Sequence, residues 1–256
     1  MSNPKKTLDD YQEVSRDFLL SHKFRCLFDE PGVGKTGPAI MAGWDILNSY
    51  DTGPNGGVLI TAPAYLLRNW EKEIHDFIPN AKVVRADGAG FESRSEALSS
   101  DADFVLTSYN NWAQKDRDGS YRYPVLVDRK WAAYIFDEGH RLRGRNSSWT
   151  KQVFRTRLTK SPNMVTPIWI LTGTPFVRDG GDFFPYFHLY DKKQHASYWK
   201  FVNKRCIVTT TPWATNVGNI SKAYRDDFRH ELAEFSLRRT VQDIPSLASL
   251  EFVEAD

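Results

Sequence analysis

The eight residues from Asp29 to Thr36, D-E-P-G-V-G-K-T, constrain this chain more than any other stretch. They follow an apolar run at 24–28 and precede a helical pattern from Ala39 to Leu47. A strand, a glycine turn, Lys-Thr and a helix, in that order, build a loop whose backbone N–H groups and helix N-terminus face a phosphate. In such a loop Lys35 reaches the β/γ-phosphates and the Thr36 hydroxyl meets Mg²⁺, while Pro31, Gly32, Val33 and Gly34 shape the turn. The spacing fits G-x-x-x-x-G-K-[ST] except at its first position, where Asp29 stands in place of glycine.

The chain around this loop alternates apolar strands with helical patterns. Spacings of three and four from Leu8 to Leu20 predict an amphipathic helix before the first strand. Strands are expected at 58–62, 82–85, 103–107, 131–136 and 166–171, and helices at 65–77 and 92–98. The polar stretch 115–124 reads as a surface loop. Runs such as 131–136 and 166–171 lack polar alternation, as central strands buried on both faces do. The pattern predicts an α/β fold with a mostly parallel central sheet, helices on both faces, and a ligand site outside the carboxyl ends of the strands. Beyond Pro175 the residues become aromatic: helices are expected at 183–189, 197–202 and 224–235, a short strand at 206–208 and a loop at 209–219.

Composition narrows the function classes. A hydrophobic content of 41% over 256 residues supports a sizeable core, and the apolar runs fall far short of the ~18 residues of a membrane span. The polar N-terminus lacks the apolar region of a signal peptide, and the two cysteines, Cys26 and Cys206, have no C-x-x-C partner. An intracellular setting, cytoplasmic or nuclear and open to a viral origin, is therefore expected, with no membrane partner. Seven Lys/Arg and no Asp/Glu lie between Arg141 and Lys160, although the whole chain carries only +2. This basic window predicts a face that neutralises phosphates, with Arg155 and Arg157 among its contacts.

Two further strand ends carry chemistry. Asp137 and Glu138 follow the run 131–136: Asp137 is placed to hold the metal and Glu138 to orient or deprotonate an attacking water, with His140 two residues on. Thr172-Gly-Thr174-Pro175 ends the run 166–171, where its hydroxyls can sense the nucleotide site and relay its state to a second ligand.

These motifs, in this order, resemble the superfamily 2 helicase-like ATPases, in particular the Swi/Snf type of double-stranded DNA translocases. D-E-P-G-V-G-K-T is similar to that family's D-E-M-G-L-G-K-T, which accounts for Asp29. The stretch L-I-T-A-P-A-Y-L-L-R-N-W-E-K-E-I (59–74) resembles its next motif, D-E-G-H-R resembles D-E-A-H-R, and L-T-G-T-P matches its form. L-R-R-T from Leu237, with Asp243 and Pro245, resembles the segment leading out of the first lobe. The resemblance implies that Gln12 reads adenine. It also implies that Pro63, Asn69, Thr107 and Ser108 lie near the phosphates of a tracked DNA strand, and that Thr172 and Thr174 couple the two sites. ATP and Mg²⁺ are the implied cofactors. Duplex DNA and a second RecA-like lobe, in the same or another chain, are the implied partners. The whole of 1–256 is then one RecA-like lobe, with an N-terminal helix (1–22), a core (23–175) and a helical elaboration (176–256).

Two departures are expected to be tolerated. Gly139 replaces the family alanine and should loosen the backbone, and Pro38 falls in a helical first turn, where its missing N–H costs nothing. The family's second lobe supplies arginines worth roughly 10³ to 10⁵ in rate, so little turnover is expected from these 256 residues alone. Two other readings remain open: a nucleotide-gated DNA-binding module without turnover, and an RNA-directed ATPase.

Overall fold

Strands that read as unbroken apolar runs need a helical layer on each face, and the computed structural model, which describes residues 4–49, 56–156, 166–175 and 178–248, supplies both. In chain order the first half contains α1 (Asp10–Leu20), β1 (Phe24–Leu27), α2 (Thr36–Ser49), β2 (Val58–Ala62), α3 (Leu67–Phe77), β3 (Val83–Arg85), α4 (Phe91–Ser99), β4 (Phe104–Ser108), α5 (Tyr109–Ala113) and α6 (Val125–Asp128). Then come β5 (Ala133–Asp137), α7 (Ser148–Arg155), β6 (Ile168–Leu171), α8 (Phe184–Tyr190), α9 (Tyr198–Arg205), β7 (Cys206–Thr210), β8 (Thr215–Ile220), α10 (Arg225–Ala233), β9 (Ser236–Leu237) and α11 (Pro245–Ala248).

Seven strands form one sheet in the order β3-β4-β2-β5-β6-β1-β9, and every pairing in it is parallel. The alternation of side chains divides the core in two. On one face Leu27, Ile60, Leu106, Ile135 and Trp169 pack against α1, α2 and α3, through residues such as Leu19, Ile40 and Trp70. On the other face Cys26, Leu59, Val105, Tyr134, Phe136 and Ile170 meet the helices that follow β4 and the aromatic tail. Because all seven strands point the same way, every strand-end motif emerges at one edge of the sheet.

Three expectations are corrected. The stretch 209–219 is no loop: β7 and β8 pair antiparallel as a separate two-stranded hairpin. Its strands are largely exposed and threonine- and asparagine-rich, so they lack the apolar alternation that marks a half-buried strand. The tail thus mixes helices with a hairpin, and it also contributes a sheet strand, β9, on the outer side of β1. Gly139, finally, does not loosen the backbone. A Cβ there would stand 2.2 Å from Ile170 Cγ2, so glycine allows the segment after β5 to lie tightly against β6. Pro38 does sit in the first turn of α2.

Candidate functional site

The strand order places the three nucleotide-type motifs side by side: the loop after β1, the Thr-Gly-Thr-Pro turn after β6, and the carboxylates after β5. In the first, Gly32 and Gly34 have φ of +88° and +82°, values that favour glycine. Glycine also lets Gln12 close over the loop, since a Cβ on Gly34 would sit 2.5 Å from Gln12 Nε2. Gln12 Nε2 donates to Gly34 O (3.1 Å), while its Oε1 accepts from Asp9 N (3.0 Å), closing the first turn of α1. Tyr11 Oη donates to Val33 O (3.1 Å). The expected adenine reader therefore already touches the phosphate loop. Lys35 Nζ donates to the carbonyls of Asp29 (2.8 Å) and Glu30 (3.0 Å). Burial lowers the Lys35 pKa, opposed by the charges of Asp29, Asp137 and Glu138, which places the ammonium in the field of both β5 carboxylates.

At the end of β5 the two carboxylates differ in environment. Asp137 Oδ2 accepts from Trp70 Nε1 (2.8 Å) and Oδ1 from Glu138 N (2.9 Å), and its main-chain carbonyl accepts from Tyr109 Oη (2.7 Å). Burial raises the Asp137 pKa, while the Trp70 hydrogen bond works against that rise. Glu138 has φ 50° and ψ 45°, the single non-glycine residue in the left-handed region among the described residues. That turn aims its carboxylate at His140, whose Nδ1 lies 3.1 Å from Glu138 Oε2. This hydrogen bond holds the Glu138 pKa below the usual carboxylate range, so Glu138 is ionised and Nδ1 carries the proton. Thr172 Oγ1 and Thr174 Oγ1 stand 3.2 and 3.4 Å from the same nitrogen. One imidazole thus links the carboxylates of β5 to the turn after β6.

The other expected residues divide. Pro63 is buried and begins the turn into α3, Asn69 is exposed on α3, and Ser108 is half-buried at the end of β4. Thr107 is fully buried, and its hydroxyl accepts from Asn111 Nδ2 (3.0 Å), so its side chain faces the core rather than the edge. Arg155 sits exposed at the far end of α7, donating to Gln152 Oε1 (2.8 Å). Arg157 lies outside the described residues. From the basic window, Arg141 is the residue brought to the strand-end edge, its guanidinium 5.8 Å from the Tyr109 ring.

Two residues escape sequence reasoning. Trp70 carries the contact between α3 and Asp137, and its signal was only an apolar position beside Asn69. Arg239 reaches Asp29 across 210 residues of sequence.

Two oxygen donors here would suit a metal. The described residues contain no cluster of three or more His, Cys, Asp or Glu side chains able to hold an ion. One carboxylate, Asp137, and one hydroxyl, Thr36, match the sparse all-oxygen protein contribution of Mg²⁺ sites completed by substrate phosphates.

Comparison with known proteins gives the family and the fold. A family model described as the SNF2-related domain matches residues 11–251. The CHD3-type chromatin-remodeling factor CHR7 of Arabidopsis thaliana is 32% identical over 216 residues, covering 77% of this chain and 16% of that protein. Protein CHROMATIN REMODELING 19 of the same plant is 29% identical over 187 residues, covering 67% of this chain and 23% of its own length. The present chain therefore spans less than a quarter of either relative. The fold matches the Sulfolobus solfataricus SWI2/SNF2 ATPase core in complex with dsDNA, with a TM-score of 0.70 at 22% identity over 96% of this chain and 47% of that one.

Proposed function

The chain belongs to the SNF2-related family, and from that premise we propose that it is the first RecA-like lobe of a DNA-dependent ATPase that moves on, or remodels, duplex DNA and its protein complexes. The observation that carries this reading is the imidazole bridge. His140 joins Glu138 to Thr172 and Thr174, and Trp70 joins the neighbouring Asp137 to the helix that presents Asn69. Nucleotide chemistry and the proposed DNA edge are then one hydrogen-bond apart.

In this reading ATP lies on the loop from Pro31 to Thr36, with Gln12 at its adenine end. Lys35 turns from the Asp29 and Glu30 carbonyls to the phosphates. Thr36 and Asp137 would hold Mg²⁺, which when bound would supply charge neutralisation. Glu138, kept ionised by His140, orients the attacking water and accepts its proton. Asn69 and Ser108 stand nearest a tracked strand; Pro63 shapes that edge, Thr107 braces it through Asn111, and Arg141 adds positive charge. Arg155 and Arg157 extend the basic face. A second lobe, in the same or another chain, contributes the arginines that the hydrolytic step needs. No helix among the described residues is long and apolar enough to cross a membrane, and the proposed setting is wherever the DNA resides.

The test is ATPase activity of the full-length protein with duplex DNA, single strands and RNA. Duplex DNA is expected to stimulate most, and Glu138→Gln to lower turnover by about 10² to 10⁴ while ATP still binds. Stimulation by RNA alone would overturn the DNA assignment. A wild-type protein that binds ATP without turnover would favour the nucleotide-gated module.

A further inference from the structure

The residue that breaks the generic phosphate-loop pattern has a structural partner. Asp29 is buried, 1% exposed, and lies between the end of β1 and the loop. Arg239, two residues beyond β9, meets it with a fork: Nη2 donates to Asp29 Oδ2 (2.7 Å), and the Arg239 backbone N–H donates to Asp29 Oδ1 (2.8 Å). The same guanidinium donates through Nη1 to Tyr11 O (2.7 Å) and through Nη2 to Ser15 Oγ, and it lies 5.5 Å from the Tyr11 ring centre. Backbone contacts run alongside. Phe28 N donates to Leu237 O (2.8 Å) and Glu30 N to Arg239 O (2.9 Å), while Val241 N donates to Glu30 Oε2 (3.3 Å).

One side chain therefore ties together three segments far apart in sequence: α1, the entry to the phosphate loop, and the strand that runs out of the sheet. Tyr11 and Gln12, at the start of the same helix, are the residues that touch Val33 and Gly34. The Asp29 carbonyl is one of the two that hold Lys35.

We propose that Arg239 is a positioning residue for the nucleotide site, a strut that sets the distance between α1 and the phosphate loop through Asp29. Releasing it lets α1 lift from the loop, so Gln12 and Lys35 no longer face one bound nucleotide together. Because the strut stands on the segment after β9, displacement of that segment changes nucleotide affinity without touching any group that contacts phosphate. This proposal rests on the reading of 29–36 as a nucleotide loop.

The experiment measures affinity of the full chain for a fluorescent ADP analogue, with Lys35→Ala as the check on the loop itself. Arg239→Lys keeps the charge but cannot hold Asp29, Tyr11 O and Ser15 at once. It is expected to raise Kd about tenfold, a loss on the scale of charge-assisted hydrogen bonds. Its unfolding midpoint should fall by several degrees, as the loss of hydrogen bonds to a buried carboxylate requires, so Kd is read at a temperature where the variant is folded, and duplex-DNA affinity without nucleotide should not change. Asp29→Asn should give a similar loss, and the double variant should be no weaker than the worse single one, since both remove one interaction. Amide exchange should show α1 losing protection in Arg239→Lys. Wild-type Kd in both single variants, or losses that simply add, would overturn the strut. If Lys35→Ala binds as the wild type does, the nucleotide reading fails instead; the exchange result then decides, and unchanged protection of α1 overturns the strut as well.

Discussion

At the strand-end edge, Lys35, Asp137, Glu138 and His140 are only half-buried, and their hydrogen bonds join groups whose charges are not cancelled pairwise. In the layer formed by α8, α9 and α10 the opposite holds. Phe187 is 1% exposed, with the rings of His195, Phe201, Phe228 and Phe235 at 5.0 to 5.5 Å. The one buried cation there, Arg205, is closed off by Glu231 (2.7 Å) and by the Phe201 ring at 4.6 Å. Both regions cover the same sheet. One leaves polar groups half-exposed at the strand ends, and the other closes its buried cation off locally, which makes it a foundation for the proposed site.

The largest effect that could break this contrast comes from the foundation. Phe187→Ala is expected to cost about 3 to 5 kcal/mol of stability, because the surrounding rings cannot collapse fully into the space. Denaturant unfolding should register it as a lower midpoint with unchanged slope, and at a temperature where the variant is folded its nucleotide affinity should equal the wild type's. A change in affinity would mean that the tail reaches the site after all.

Trp70→Phe is the converse test, since it keeps the ring in the core but removes the N–H that Asp137 accepts. Hydrogen bonds to charged groups contribute about 1.5 to 3 kcal/mol. That donor opposes the burial-driven rise in the Asp137 pKa, so its loss moves the pKa further up. The expected outcome is an acid limb of ATPase activity displaced to higher pH, measured as a pH–rate profile. An unshifted limb would show that Trp70 only packs.

How much of this was legible in sequence follows from the same contrast. Strands β1, β2, β4, β5 and β6 announce themselves as apolar runs because they are buried on both faces, and the motifs at their ends could be placed at one edge before any coordinates. The hairpin β7–β8 could not be read, because its exposed threonines and asparagines carry no burial pattern. Strand β9, two residues long, is defined by its pairing with β1 alone. The Asp29–Arg239 and Trp70–Asp137 pairs are long-range and leave no local signature. Thr107 is a related case: a threonine at a strand end can face either side, and its burial and the hydrogen bond it accepts from Asn111 turn this one toward the core.

The smallest expected effect returns to the foundation through pH. His195 is buried, and burial first, then the charge of Arg205, lowers its pKa to about 4. His188 is lowered by burial too, and its Nδ1 donates to His195 O (2.8 Å). Both rings are therefore neutral in the folded chain near neutral pH. Between about pH 6.5 and 4 the unfolded chain binds a proton at position 195 and the folded chain does not, so stability falls as pH falls through that window, and the lowered pKa of His188 acts in the same direction. For His195 the shift corresponds to at most ~3 kcal/mol, reduced by solvent at the ring edge to ~1 to 2 kcal/mol. A His195→Gln variant should flatten this part of the stability–pH curve, measured by urea unfolding at successive pH values. At the nucleotide edge the two carboxylates have opposite signs: the raised pKa of Asp137 favours the protonated folded form as pH drops, while the lowered pKa of Glu138 disfavours it. A wild-type curve that rises on acidification would therefore mean that Asp137 outweighs both Glu138 beside it and the histidines of the aromatic layer.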